Sequence, residues 1–282
     1  MVIKNKPFVV SRRRDLNPRP ADYESAAPPA KLRRQVKAGI LFHNKKVPVL
    51  YRNIFLGKIC YKDYMICGAD ESGRGPIMGP LVVAGVLVKN DSDLIHLDVR
   101  DSKKITPKRR EILSKTIKNI VVNYEILSIP ASDIDDLRKT MTLNEIEVYA
   151  FSKVISTLHP EICYVDAADV NEKRFGKDII SNLTFYPKII SKHKADDIYP
   201  IVSAASILAK TARDEMVSSI EKQLQKKLSL PLGSGYPADP ITIAFLKEWI
   251  KKYGSLPPHC RHSWKTSQRL LREKSLKKLD DF

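Results

Sequence analysis

Asp70 and Glu71 are adjacent carboxylates at the end of a short apolar run, Ile66-Cys67-Gly68-Ala69, and Ser72 leads from them into Gly73-Arg74-Gly75-Pro76. Most paired surface acids are solvated and idle. Here the pair stands between an apolar strand and a turn, where side chains converge on a shared pocket and a hard divalent cation finds oxygen ligands. The arrangement recurs once: Glu161-Ile162-Cys163-Tyr164-Val165 is another apolar strand, and it ends in Asp166. Neighbouring parallel strands with acids at equivalent ends bring those acids within metal-sharing distance. Packed together, such acids repel one another and take up protons unless cations neutralise them.

Gly73, Gly75 and Gly79 suggest a phosphate cradle, but the dinucleotide and P-loop patterns require a helix after the loop. The segment that follows is Leu81-Val82-Val83-Ala84-Gly85-Val86-Leu87-Val88, β-branched and closely preceded by prolines. The expectation is a strand–turn–strand hairpin. A plain tight turn accounts for the glycines alone. With Asp70, Glu71 and Arg74 beside them, they favour a polyanion site whose backbone N–H groups a ligand can approach closely.

The elements that must position these groups follow from periodicity and caps. Thr106 as N-cap and Pro107 in the first turn predict a helix over 107–119, and Val121 to Ser128 a third strand. Thr142 to Leu158 places Leu143, Ile146, Ala150, Val154 and Ile155 on one helical face. Thr184 to Ile190 reads as the last strand, followed by His193-Lys194-Ala195-Asp196 and a helix from Pro200 to about 227. His193 reads as a surface histidine. Ser203, Ala204, Ala205 and Ala209 let that helix approach a sheet closely; Lys210 and Asp214, four apart, share one of its faces. Two more helices, about 239–252 and 267–279, close the chain. The fold class is α/β: a mixed central sheet flanked by helices, with a helical C-terminal part.

The chain has 282 residues and a formal net charge of +17 from 49 basic and 32 acidic side chains. Residues 1–64 carry 15 of the basic and 4 of the acidic groups, so the remainder is only mildly basic. A polyanionic partner is favoured, with local patches deciding more than total charge. No apolar run approaches the ~20 residues of a membrane span. Cys60, Cys67, Cys163 and Cys260 show no C-x-x-C spacing and fit free thiols of a reducing cytoplasm. Three domains are expected: a basic extension over 1–64, a catalytic domain over 65–228, and a helical part over 229–282 packing on it. The extension is rich in helix breakers and reads as disordered, as a basic nucleic-acid arm, or as non-native sequence ahead of a true start at Met65. A native peptide spanning Tyr64–Met65 excludes the last.

Asp70-Glu71-Ser72-Gly73-Arg74-Gly75-Pro76, with Gly79-Pro80-Leu81-Val82-Val83-Ala84 after it, resembles the opening motif of type 2 ribonuclease H in its archaeal form, Ser72 standing where that family usually has alanine. Four further segments occur in the family's order: Asp101-Ser102-Lys103-Lys104, the strand ending in Asp166, Ala209-Lys210-Thr211-Ala212-Arg213-Asp214, and Ser234-Gly235-Tyr236-Pro237. The resemblance spans 65 to about 266, and the ordered set is highly specific. It implies a ribonuclease H-like fold and an endonuclease cutting the RNA strand of RNA–DNA hybrids and the 5′ side of ribonucleotides embedded in duplex DNA, leaving 3′-hydroxyl and 5′-phosphate ends.

The resemblance also implies roles. Asp70, Glu71, Asp166 and Asp214 become the catalytic carboxylates, holding two Mg²⁺ or Mn²⁺ ions. Gly73, Arg74, Gly75, Lys103, Asn144, Lys210 and Tyr236 become substrate contacts: Lys103 on a phosphate, Tyr236 on the sugar beside the ribonucleotide, and the Gly73–Gly75 backbone as reader of the 2′-hydroxyl. Solvated lysines, a helix-capping Asn144 and a Tyr236 covering a core edge are the plain alternatives. Asp169 reads as a loop acid, and Arg261-His262-Ser263-Trp264-Lys265-Thr266, which mixes basic and aromatic residues, as a segment that touches a phosphate backbone, with Trp264 equally suited to a core. The protein is expected to act as a monomer. A junction nuclease on the same fold would cut branched all-DNA substrates. A non-catalytic binding module would bind without metal and with steep salt dependence.

Overall fold

The computed structural model describes residues 9–12, 64–97 and 105–280. Apart from residues 9–12 and Tyr64, the expectations for residues 1–64 lie outside them, as does Lys103. The sheet contains β1 (Val9–Arg12), β2 (Ile66–Ser72), β3 (Leu81–Val88), β4 (Asn123–Ile129), β5 (Ile162–Asp166) and β6 (Lys188–Lys192), in the order β1-β4-β3-β2-β5-β6. The β2–β3 pair is the antiparallel hairpin expected, and β4 extends it on the far side. The β2–β5 and β5–β6 pairs are parallel. The sheet is therefore mixed, with its parallel half on the side that carries the acids.

The helices are α1 (Ser92–His96), α2 (Pro107–Ile120), α3 (Ala131–Leu137), α4 (Leu143–Leu158), α5 (Glu172–Ser181), α6 (Ala195–Ile198), α7 (Pro200–Gln225), α8 (Pro240–Tyr253) and α9 (Lys265–Asp280). Among the described residues none is long and apolar enough to cross a membrane. Thr106 caps α2, and Thr142 with Glu145 forms a full capping box on α4. Such local signals explain why these boundaries are readable from sequence.

Strand β3 is buried along its whole length, because helices cover both faces of the sheet. Leu81, Val83 and Leu87 join one core with α4 and α5. Val82, Ala84, Val86 and Val88 join the other with α2 and α7. The small residues of α7 allow the approach anticipated: a Cβ on Gly68, at the centre of β2, would lie 2.4 Å from the backbone of Ile201. A third core ties Ile77 and Met78, after β2, to Leu224 of α7 and to Phe245, Leu246 and Trp249 of α8.

The last strand starts later than expected. Pro187 has no N–H to give a ladder, and Asn182 and Leu183 still bond back to the end of α5, so pairing with β5 begins only at Lys188. The short helix α3 and the helix α5 are also additions to the sequence reading. For α5 a signal existed: Asn171 caps it, and Phe175 and Ile179 form its buried face.

Candidate active site

Residues 66–69 of β2 pair in register with 162–165 of β5, Ala69 lying opposite Val165. One step further along each strand stand Asp70 and Asp166, at equivalent ends as expected. Asp166 lies opposite Lys192 on β6, and the chain then turns through Lys194 in the left-handed region (φ 54°) into α6. The Ala195 N–H donates to Asp166 Oδ1 at 3.0 Å. That bond fixes the first turn of α6 against the strand end and delivers the next residue, Asp196, into the same pocket. Oxygens of Asp70, Asp166 and Asp196 all lie within 4.8 Å of one another, with Asp70 and Asp196 buried.

Asp214 does not join this cluster. Its side chain is 47% exposed and pairs with Arg110 of α2 at 2.6 Å. The reason is helical rise. Ser206 and Lys210 of α7 are the residues that act on Asp70, and Asp214 lies two turns, about 12 Å, beyond Ser206. By that point the helix has crossed to β4, where Ser128 Oγ donates to Met216 Sδ at 3.3 Å. Asp196 stands in the cluster in its place. Asp196 is absent from the site residues expected above; an acid in the short link after the third parallel strand is the signal the sequence offers.

Adjacent strand residues project to opposite faces, so Glu71 leaves β2 on the side away from α7. Its Oε2 is buried and accepts no hydrogen bond from the described residues. Burial, and then the neighbouring Asp70 and Asp166, push its carboxyl well above the usual range, opposed by Arg74. Asp70 is pushed up to about 7, first by burial and next by Asp166, against a hydrogen bond from Ser206 and the charge of Lys210. The pocket thus concentrates carboxylates that resist ionising together.

Directly after β2 stands the glycine turn. Gly73 adopts φ +92°, and the loop carrying Gly235 (φ +79°) locks onto it: the Ile77 and Met78 N–H groups both donate to Gly235 O, at 2.8 and 3.1 Å. This brings Tyr236 over the turn, its ring 3.6 Å from where a Cβ on Gly75 would sit. Tyr236 is 39% exposed, so it covers the glycine turn more than any core edge. Beneath it the Arg213 guanidinium lies 5.2 Å from the ring centre and donates to Ser234 O at 3.1 Å. Asp239 holds the same loop by accepting from Ser234 N at 2.6 Å, and this bond above all draws its carboxyl down to about 2.

Arg74 turns the other way. It forms an ion pair with the buried Glu147 of α4, and its Nη2 donates to Asn144 Oδ1 at 2.7 Å. Asn144 Nδ2 in turn donates to Asp169 Oδ2 at 3.0 Å. Asp169 is gripped by Arg174, whose hydrogen bonds hold its carboxyl below the ordinary value. Asn144 is therefore a link inside a polar network, beyond the capping role the sequence allowed. Arg261 departs furthest from its phosphate-contact reading: it is fully buried, while Trp264 Nε1 donates to Gly75 O at 3.3 Å.

Strands ending in clustered acids, inside a mixed sheet covered by helices, define a ribonuclease H-like, metal-dependent nuclease. Solved structures agree on the fold: ribonuclease H2 from Pyrococcus horikoshii OT3 is 38% identical with a TM-score of 0.69, covering 74% of this chain and 98% of that one. In the PCNA:RNase HII complex from Archaeoglobus fulgidus the match is 39% identical with a TM-score of 0.65, over 71% and 95%. Residues 67–267 match the family model of ribonuclease HII. Ribonuclease HII of Thermococcus sibiricus is 46% identical over 225 residues, 76% of this chain and 96% of the relative; that of Methanococcoides burtonii is 44% identical over 214 residues, 73% and 99%. The chain belongs to the ribonuclease HII family, enzymes that cleave the RNA of RNA–DNA hybrids and ribonucleotides within DNA.

Proposed function

We propose that this chain hydrolyses the RNA strand of hybrids and the 5′ side of single ribonucleotides embedded in duplex DNA, leaving 3′-hydroxyl and 5′-phosphate ends. The observation that carries the assignment of chemistry to residues is the convergence of Asp70, Asp166 and Asp196 within 4.8 Å. Glu71 is the fourth acid, and its buried Oε2, which accepts no hydrogen bond from the described residues, suits a cation. All the donors are hard oxygens, the set that Mg²⁺ and Mn²⁺ prefer. A structure of Bst-RNase HIII contains Mn²⁺, in a chain of the same fold. When bound, a pair of such ions supplies the charge that makes water a nucleophile near neutral pH and stabilises the leaving oxygen.

The chain's own residues do the rest. Lys210, whose charge acts on Asp70, stands where it offsets negative charge as the phosphate arrives. The Gly73–Arg74–Gly75 backbone, lacking side-chain bulk on both flanks, approaches the sugar closely enough to test for a 2′-hydroxyl. Tyr236 packs on the adjacent sugar and keeps it seated on the turn. Arg74, held by Glu147 and Asn144, fixes the turn from the α4 side. Lys103 remains the candidate phosphate contact of the segment before α2.

In this reading residues 65–228 carry the chemistry and 229–282 brace the recognition turn. One copy suffices, because every group named comes from a single chain. Cys67, Cys163 and Cys260 are buried free thiols, which suits a reducing cytoplasm. The test is a gel assay on duplex DNA containing one ribonucleotide. Cleavage 5′ of that residue, stopped by EDTA and restored by Mg²⁺ or Mn²⁺, is expected. Cutting of a branched all-DNA substrate instead, or metal-independent binding without product, overturns it.

A further inference from the structure

Arg261 is a charged side chain with no exposure, in a loop far along the chain from the acids. Its guanidinium is filled by backbone carbonyls: Nε donates to Gly79 O at 3.1 Å, Nη1 to Arg74 O at 2.9 Å and Nη2 to Gly73 O at 2.5 Å. Burial, and then the nearby Arg213, draw its pKa down to about 9. No carboxylate among the described residues forms an ion pair with it. Three carbonyl bonds are the compensation that lets a charge stay buried.

Those bonds have a geometric consequence. A trans peptide unit is planar, with its C=O and N–H pointing in opposite directions. Drawing the Gly73 and Arg74 oxygens inward to Arg261 therefore turns the N–H groups of Arg74 and Gly75 outward. Trp264 adds a third inward tie through Gly75 O. Its ring also stacks on the guanidinium, 4.7 Å from Cζ to the ring centre. The loop bearing both residues is itself pinned to α3, since Asp135 accepts from His262 N, Ser263 N and Ser263 Oγ at 2.7, 2.9 and 2.6 Å.

We propose that Arg261, with Trp264, is the positioning residue that sets 2′-hydroxyl discrimination, by holding the peptide planes of Gly73–Arg74–Gly75 so that their amides face the substrate sugar. This rests on the reading of that turn as the hydroxyl sensor. Arg261 touches no substrate; it acts through the turn. Lysine keeps the charge but lacks the planar fork and cannot hold three carbonyls in one plane.

The test compares kcat/KM on two duplexes that differ only at one sugar, a ribonucleotide or its 2′-fluoro analogue, for the full chain and for Arg261→Lys. A role limited to overall folding scales both rates together and leaves their ratio unchanged. Positioning lowers the ratio, by roughly tenfold or more, as the ribonucleotide loses its special advantage. An unchanged ratio in a folded Arg261→Lys protein overturns the proposal. Where that variant fails to fold, Trp264→Phe decides: it removes one N–H and keeps the ring, and a ratio equal to that of the unaltered chain rejects the idea. If the unaltered chain itself shows no preference for the ribonucleotide, the hydroxyl-sensor reading fails first, a separate outcome.

Discussion

Arg110 of α2 and Asp214 of α7 are joined by a 2.6 Å contact between Nη1 and Oδ2, and that pair stands outside the acid cluster. The carboxylate that faces Asp70 and Asp166 is Asp196. Asp196→Asn should therefore lower cleavage of a single-ribonucleotide duplex by at least about 100-fold, the scale of losing a group aimed at developing charge. Asp214→Asn should stay within about threefold and cost no more than the ~0–1 kcal/mol of an exposed ion pair. Equal loss of activity in both variants would restore Asp214 to the site.

Asp70 gives the metal-free protein a pH signature. Its carboxyl rises from the ordinary 3.8 to about 7 in the fold. Between those values the native state holds a proton that the unfolded chain has released, so stability falls as pH rises through the window and does not recover above it. In EDTA the Tm should be higher near pH 5 than near pH 8. Mg²⁺ should raise it more at the higher pH, where the carboxylate binds without first losing a proton. Asp70→Asn should flatten the trend; a slope that survives this change comes from other groups.

Tyr236 covers Gly75 while remaining 39% exposed. Tyr236→Ala should cut kcat/KM on an embedded ribonucleotide by roughly tenfold or more, with a stability change within the ~1 kcal/mol usual for a half-exposed side chain. A fall in Tm that accounts for the whole loss of activity would make the tyrosine a packing residue.

Asn144 joins Arg74 to Asp169 through its two amide ends. Asn144→Ala and Arg74→Ala should each reduce kcat/KM, and the double variant should lose little beyond the larger single effect. That shortfall is the mark of residues acting as a unit. Simple additivity would mean that Asn144 does not act through Arg74.

What the sequence made legible was local. The hairpin of β2 and β3 follows from apolar runs around a glycine turn, α2 and α4 from their threonine caps, and the Asp70–Asp166 juxtaposition from a strand pattern that occurs twice. Asp196 was obscured because the turn through Lys194, which brings it back to Asp166, depends on a tertiary hydrogen bond from Ala195. Asp214 misled because a motif gives spacing along a helix but not where that helix crosses the sheet. Arg261 reads as a surface cation for a similar reason. Only the folded loop reveals that carbonyls 182 to 188 positions earlier surround it.

The carboxylates stand on the strands and the short helix α6, whereas the loops around Tyr236 and Arg261 belong to the third core, with α8. On the proposed reading the sensor turn follows the acids of β2 directly, while the residues that brace it come from a distant stretch of the polypeptide. An engineer could retune which sugar is accepted by redesigning the last sixth of the chain, and leave the hydrolytic centre as it stands.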